Sequence, residues 1–262
     1  MITVTRSDIT SAVRSLGVCA GDLLLAHTSL SSLGHVPGAA PEAARALLDA
    51  VSPGGTVFVP TFTYDRSAFD PATSPSLVGA ITEAIRQSPA AVRSDHPTHS
   101  LAGLGPAAAG ILAGHAGHDP FGPGSPLWRL YERDAWVLLL GCDHRANSMI
   151  HVGEELVGPD LVPYLTRTRT ARVRTPNGGE AEVTVRRPGC SAGFNAVAAP
   201  LLAEGKVRQG HAGSAPLLLT RGSDVVHTTA ALLRNDPAAL LCHRPDCDRC
   251  AEARRIIASP RL

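Results

Sequence analysis

The 262-residue chain has no stretch near the roughly 20 consecutive apolar residues that a membrane span requires. Its first 18 residues mix charge and polarity where a signal peptide carries its apolar core, so no export signal is visible. An excess of one charge is missing too. The formal net charge is +1, which argues against a generic nucleic-acid coat or a polybasic membrane patch. Lysine is nearly absent, Lys206 being the only one, and the other basic residues are arginine, a bias expected of a GC-rich genome. Repeats, low-complexity tracts and obvious linkers are lacking. With 44% hydrophobic residues and balanced charge, disorder is excluded as well. Six cysteines in this length do not make a small disulfide scaffold, and a cytoplasmic setting is the expectation.

What is present alternates between helix and strand. Thr5 or Ser7 caps a helix reaching about Leu16, and Leu23 to Ala26 is a short apolar run typical of a strand buried on both faces. Pro41 opens a helix with apolar Ala44, Leu47, Leu48 and Val51, stopped by Pro53-Gly54-Gly55. Thr56 to Pro60 reads as the second strand, followed by helices over Leu77 to Gln87, Pro106 to Ala113 and Pro126 to Glu132. Trp136 to Gly141 is the clearest buried strand, and Asn147 is positioned to cap the helix after it. Past Pro163 the pattern changes to polar–apolar alternation around Pro176-Asn177-Gly178-Gly179, the signature of a hairpin between Arg167–Arg174 and Ala181–Arg187. Helices near Phe194–Ala203 and Ser223–Asn235 lead to a cysteine-rich tail at 242–250. The expectation is an α/β fold over 1–262: one domain with a mixed central sheet, flanking helices, and a smaller β-hairpin/helix lobe at 164–210.

Several segments carry chemistry. His151 and Glu154, three apart on a helix, share a face, so the carboxylate is placed to orient the imidazole as a general base; a surface ion pair is the plainer reading. The polar turn His27-Thr28-Ser29-Leu30-Ser31-Ser32 follows a buried strand. Its hydroxyls and free N–H groups suit a phosphate or a carbonyl, or simply satisfy their own backbone. It lacks the glycine spacing of a nucleotide fingerprint. Arg93-Ser94-Asp95-His96-Pro97-Thr98-His99 offers two histidines without a third metal ligand at diagnostic spacing, so an anion-binding or active-site loop is the better reading.

In order, these segments resemble the aminoglycoside 3-N-acetyltransferase family. The resemblance is carried by Leu24-Leu25-Ala26-His27-Thr28-Ser29-Leu30, Pro53-Gly54-Gly55-Thr56, Phe69-Asp70-Pro71-Ala72-Thr73-Ser74-Pro75 and Arg93-Ser94-Asp95-His96-Pro97. Gly124-Ser125-Pro126, Val137-Leu138-Leu139-Leu140-Gly141 and Asn147-Ser148-Met149-Ile150-His151-Val152-Gly153-Glu154 continue it. It implies the antibiotic N-acetyltransferase fold and acetyl transfer from acetyl-CoA to the 3-amino group of an aminoglycoside. His151 would be the base and Glu154 its support. His27, Thr28, Ser29, Leu30 and Ser31, with Arg93, Ser94 and His96, would lie along the CoA. Asp143-His144-Arg145 departs from the Gly-His-Asp common in the family. Because aminoglycosides carry several ammonium groups, Asp65, Asp70 and Glu155 are expected on the acceptor side. The same fold acting on another natural-product amine, a zinc hydrolase, and a non-catalytic CoA-binding module are the competing functions.

The tail Cys242-His243-Arg244-Pro245-Asp246-Cys247-Asp248-Arg249-Cys250 contains Cys-x-x-Cys, which suits two ligands of one tetrahedral ion. A structural zinc held by Cys190, His243, Cys247 and Cys250 is the expectation, with Cys242 as the local alternative to His243. Free thiols, a disulfide and a redox pair compete. Similar cysteines close the chains of some members of the resembled family.

Overall fold

The computed structural model describes residues 2–63, 68–175 and 177–259. Among them, nine strands run in chain order: β1 (Leu23–Thr28), β2 (Thr56–Pro60), β3 (Val92–Arg93), β4 (Leu101–Leu104), β5 (Trp136–Leu140), β6 (Thr168–Arg174), β7 (Glu180–Arg186), β8 (Arg208–Ala212) and β9 (Ala215–Arg221). The helices are α1 (Arg6–Ser15), α2 (Leu30–Leu33), α3 (Ala39–Val51), α4 (Ala80–Arg86), α5 (Ala108–Leu112), α6 (Pro126–Glu132), α7 (Met149–Val157), α8 (Ala198–Ala203), α9 (Gly222–Asn235) and α10 (Asp248–Ala258). Among these residues no helix is long and apolar enough to cross a membrane.

Seven strands form one sheet in the order β3-β4-β2-β1-β5-β9-β8. β1 pairs in parallel with β2 and β5, so the C-terminal ends of all three open on the same edge. The outer pairs β2–β4, β3–β4, β5–β9 and β8–β9 are antiparallel, which makes the sheet mixed, as expected. Side chains of a strand alternate between faces, and the apolar runs of the central strands split accordingly. Leu25, Phe58, Val137 and Leu139 join Ile111, Leu130, Met149, Ile150, Val225 and Val226 on one face, under α5, α6, α7 and α9. Leu24, Ala26, Val57, Val59, Leu138 and Leu140 face Ile9, Val13, Leu47, Ile81 and Ile85 on the other, under α1, α3 and α4.

Local signals behave as their chemistry dictates. Thr5 closes a full capping box with Asp8 at the start of α1. The Asn147 side chain accepts the Met149 N–H at 3.1 Å, tying the entry of α7. Gly153 lets α7 press on α9, because a Cβ there would lie 2.5 Å from the Thr229 side chain. β6 and β7 pair in register as the expected hairpin, a separate two-stranded sheet. Phe69 tethers it: its N–H donates to Arg172 O at 2.8 Å, and its carbonyl accepts from Arg174 N–H at 2.7 Å.

Four strands were not expected. β3 and β4 are short and bracket the histidine-rich segment. β4 carries Gly103 against Phe58, where a Cβ would come within 2.9 Å of the ring. β8 is an edge strand of mostly exposed residues, and β9 contains Pro216, which weakens any strand signal.

Candidate active site

The carboxyl edge of the parallel strands is where an open α/β sheet receives ligands. A cleft of about 1040 Å³ lies there, lined by His27 and Thr28 at the end of β1, Pro60 at the end of β2 and Phe62 just after it, Asn147 and Ser148 leading into α7, and His151 on its first turn. That volume lies at the upper end of the range of about 300–1,000 Å³ for small-molecule sites.

His151 sits on the first turns of α7, its Nδ1 2.6 Å from Glu154 Oε2. Both residues are buried, and the Glu154 side chain is 1% exposed. The imidazole lies flat on Phe121, with centroids 4.4 Å apart and planes at 8°, and Phe194 meets it edge-on at 4.8 Å. With Nδ1 committed to the carboxylate and the ring clamped between two aromatics, Nε2 is left for the cleft that the residue lines. This is the geometry of an oriented proton acceptor, and it departs from a surface ion pair by its burial.

Of the segment expected as a polar turn, His27 and Thr28 are the last residues of β1 and reach the cleft. Ser148 N–H donates to His27 Nε2 at 3.4 Å. Burial, helped by nearby His144, pushes the His27 pKa down to about 3, so the ring stays neutral. Thr28 Oγ1 is buried without a hydrogen-bond partner among the described residues. Ser29, Leu30 and Ser31 fall outside the lining and enter α2. The Ser29 and Ser31 hydroxyls lie 3.3 Å apart, and Ser32 Oγ donates to Gly141 O at 2.9 Å.

The Arg93 segment is interior. Arg93 donates to Thr61 O at 2.8 Å and to the Ser74 carbonyl, stacks over Phe69, and burial lowers its pKa to about 10. Ser94 Oγ pairs with His115 Nδ1 at 3.0 Å and accepts Leu101 N–H. His96 Nδ1 accepts the backbone N–H of His99 at 3.0 Å. None of the three lines the cleft; His99, their neighbour, does. Ser94 and His96 both meet His115, whose Nε2 lies 3.3 Å from Pro120 O, and His99 meets Phe121 edge-on at 5.2 Å. Burial lowers the pKa of His96 to about 4 and of His115 to about 2, and holds His99 well below its ordinary value.

Depressed histidines make the fold acid-sensitive. Below the unfolded value of 6.5 the unfolded chain binds protons that the native state refuses. Stability is therefore full above about pH 6.5 and is lost as the pH falls toward the folded values. Each such histidine contributes a slope approaching ~1.4 kcal/mol per pH unit. Thermal melts are expected to drop steadily between about pH 6.5 and 5; a flat melting temperature there would contradict the neutral cluster.

Of the acids expected on the acceptor side, neither described one lines the cleft. Asp65 lies outside the described residues. Asp70 accepts Ala72 N–H at 2.8 Å and is not among the lining residues. Glu155 pairs with Arg186 at 2.6 Å in a small void behind His151, where burial raises its pKa to about 7 against the pull of that arginine. The lining instead brings together Arg145, Arg169, Arg187, Arg244 and Arg249, a convergence that linear spacing does not announce.

Beside the cleft, Cys190, Cys242, Cys247 and Cys250 place their sulfurs within 4.8 Å of one another. Here the expectation needs correction in one member. His243 is exposed and outside this group, while its neighbour Cys242 is buried and within it. Adjacent residues leave the backbone in different directions, and Cys242 takes the inward one.

Comparison with known proteins agrees with this architecture. The family model for aminoglycoside 3-N-acetyltransferase matches residues 25–234. Aminoglycoside N(3)-acetyltransferase IX of Micromonospora chalcea is 33% identical, over 81% of this chain and 87% of the relative. Among solved structures, a mutant of aminoglycoside acetyltransferase AAC(3)-IVa in complex with a gentamicin is 30% identical, with a TM-score of 0.88, covering 97% of this chain and 98% of the other. AAC-IIIb in its binary complex with CoASH is 25% identical, with a TM-score of 0.80, over 89% and 97%. A seven-stranded mixed sheet, a buried His–Glu pair at its carboxyl edge and similarity along most of the chain lead to one conclusion: the chain belongs to the aminoglycoside 3-N-acetyltransferase family of enzymes.

Proposed function

We propose that this enzyme transfers the acetyl group of acetyl-CoA to the 3-amino group of an aminoglycoside in the cytoplasm, and that resistance is the consequence. The observation that carries the reading is the His151 Nδ1–Glu154 Oε2 contact, which orients a clamped imidazole at the edge of the cleft. An ammonium has no lone pair for attack, so the acceptor reacts as the neutral amine, its first proton having gone to solvent. His151 Nε2 takes a second proton as the amine nitrogen bonds to the thioester carbonyl carbon. The tetrahedral intermediate collapses, the C–S bond breaks, and the CoA sulfur leaves as a thiolate that receives the proton. Products are the amide and CoASH. The unpartnered Thr28 hydroxyl supplies a donor for the transient oxyanion. Holding both substrates in one cleft supplies the entropic part of the rate.

The reading includes one domain whose lobe at 164–210 borders the cleft, and a structural zinc on Cys190, Cys242, Cys247 and Cys250. Cys190 and Cys242 sulfurs stand 3.9 Å apart. Sulfurs about 2.3 Å from a tetrahedral zinc would be separated by about 3.8 Å. All four thiols are free, and four ligands leave no open position, so the ion would clip the tail and not hydrolyse anything. Product mass spectrometry after incubation with acetyl-CoA and an aminoglycoside panel tests the activity. A gain of one acetyl at the 3-amine is expected; acetylation of other amines with no aminoglycoside product would overturn the substrate assignment.

A further inference from the structure

The direction of the His151 ring depends on a part of the chain outside its own helix. Its face rests on Phe121, which arrives on the loop 118–125 leading into α6. No helix or strand spans that loop, so its course is set by what holds it. One hold is interior: His115 Nε2 lies 3.3 Å from Pro120 O. The other comes from the lobe. Arg186, the last residue of β7, sets Nη2 3.1 Å from Asp119 Oδ2 and 2.6 Å from Glu155 Oε2, and its Nη1 donates to Leu165 O at 3.0 Å. One guanidinium thus joins the loop that carries Phe121 to the helix that carries His151. The fit is close, since a Cβ on Gly122 would come 3.2 Å from Asp119 Cβ and 3.6 Å from Glu155 Oε2. A planar guanidinium fixes the direction between the groups it joins, where an ammonium would supply charge alone.

We propose that Arg186 is a positioning residue for the acetyl transfer: by joining Asp119 to Glu155 it holds Phe121 flat against His151 and keeps Nε2 aimed at the acceptor amine. The role rests on the function proposed above. Arg186, Asp119 and Glu155 are not cleft residues, so they act through Phe121 and His151, with which Arg186 and Glu155 share the small void. Burial already raises the Glu155 pKa to about 7 against the pull of Arg186. Losing that arginine therefore leaves a carboxyl that takes up a proton at neutral pH, not a buried charge, and the variant is expected to fold.

The test uses the full chain with Arg186→Gln, Arg186→Lys and Asp119→Ala. The Asp119 side chain is 46% exposed, so its removal cuts the tie with little effect on the core. Arg186→Gln should lower kcat by roughly 10–100-fold with KM for both substrates within about twofold, and Asp119→Ala should show the same split. Arg186→Lys should recover part of the loss. The second readout is the imidazole C–H resonance of His151, assigned by its disappearance in His151→Gln. Protons over an aromatic face are shifted upfield, so Arg186→Gln and Asp119→Ala should both move it downfield. Limiting shifts of the neutral ring are compared, so a changed proton affinity does not enter. An unmoved resonance in both variants, or kcat within about twofold of the parent in both, overturns the proposal. So does a lowered melting temperature with the resonance unmoved, because Arg186 would then only pin the lobe. The resonance is read without turnover, so a chain whose His151 signal moves yet which acetylates no aminoglycoside refutes the proposed function and leaves the hold of Arg186 on the stacked ring standing.

Discussion

Replacing His151 with alanine is expected to lower kcat by about 10²–10⁴-fold while leaving acetyl-CoA binding intact. The expectation follows from what the side chain touches. Nδ1 is bound to Glu154 and the ring is held between Phe121 and Phe194, so the remaining nitrogen has a fixed direction. Removing the ring deletes the proton acceptor but leaves His27, Thr28 and the other lining residues in place. Because the alanine variant also opens space beside Phe121, its melting temperature should be measured with its activity. His151→Gln fills most of that space and should be as slow. Near-normal acetylation by either variant would mean that another group, or solvent, takes the proton.

The second large effect is expected from the tail. Protein purified without an affinity metal should contain about one equivalent of zinc, and a strong chelator should remove it. If the clip contributes about 3 kcal/mol, its loss lowers the melting temperature by roughly 6–12 °C. Cys250 is packed in the main core and Arg254 donates to the Cys242 carbonyl at 2.7 Å, so freeing the sulfurs loosens α10 from the lobe. Cys247→Ser should reproduce the shift without chelator. Less than about a tenth of an equivalent of zinc, with four freely titrating thiols, would rule the metal out.

Much of this was legible in the residues. The apolar runs at Leu23–Ala26, Thr56–Pro60 and Trp136–Gly141 became the three parallel strands because a doubly buried strand leaves no room for polar alternation. The His151–Glu154 pair was readable because helical spacing fixes neighbours. What escaped depends on contacts between distant segments. The stacking of Phe121 on His151, the inward turn of Arg93, the choice of Cys242 over His243, and the meeting of arginines from β6, the segment after β7 and the tail are set by packing. β9 and β8 escaped for another reason: a proline and an exposed edge blur period-two alternation.

The order of strands in the sheet also sets a timetable. β1 is made early, yet the neighbour on one of its sides is β5; Asp22 and Trp136, which hydrogen-bond across that junction, are separated by 114 residues. β9 and β8 then close the far side of β5 later still. Such non-local pairing must overcome loop-closure entropy before any contact rewards it, which makes folding slow. Until β5 arrives, the apolar edge of β1 stands open to pairing with other chains. Yield in a recombinant host should therefore depend on synthesis temperature and on chaperone supply more than on the stability of the finished protein.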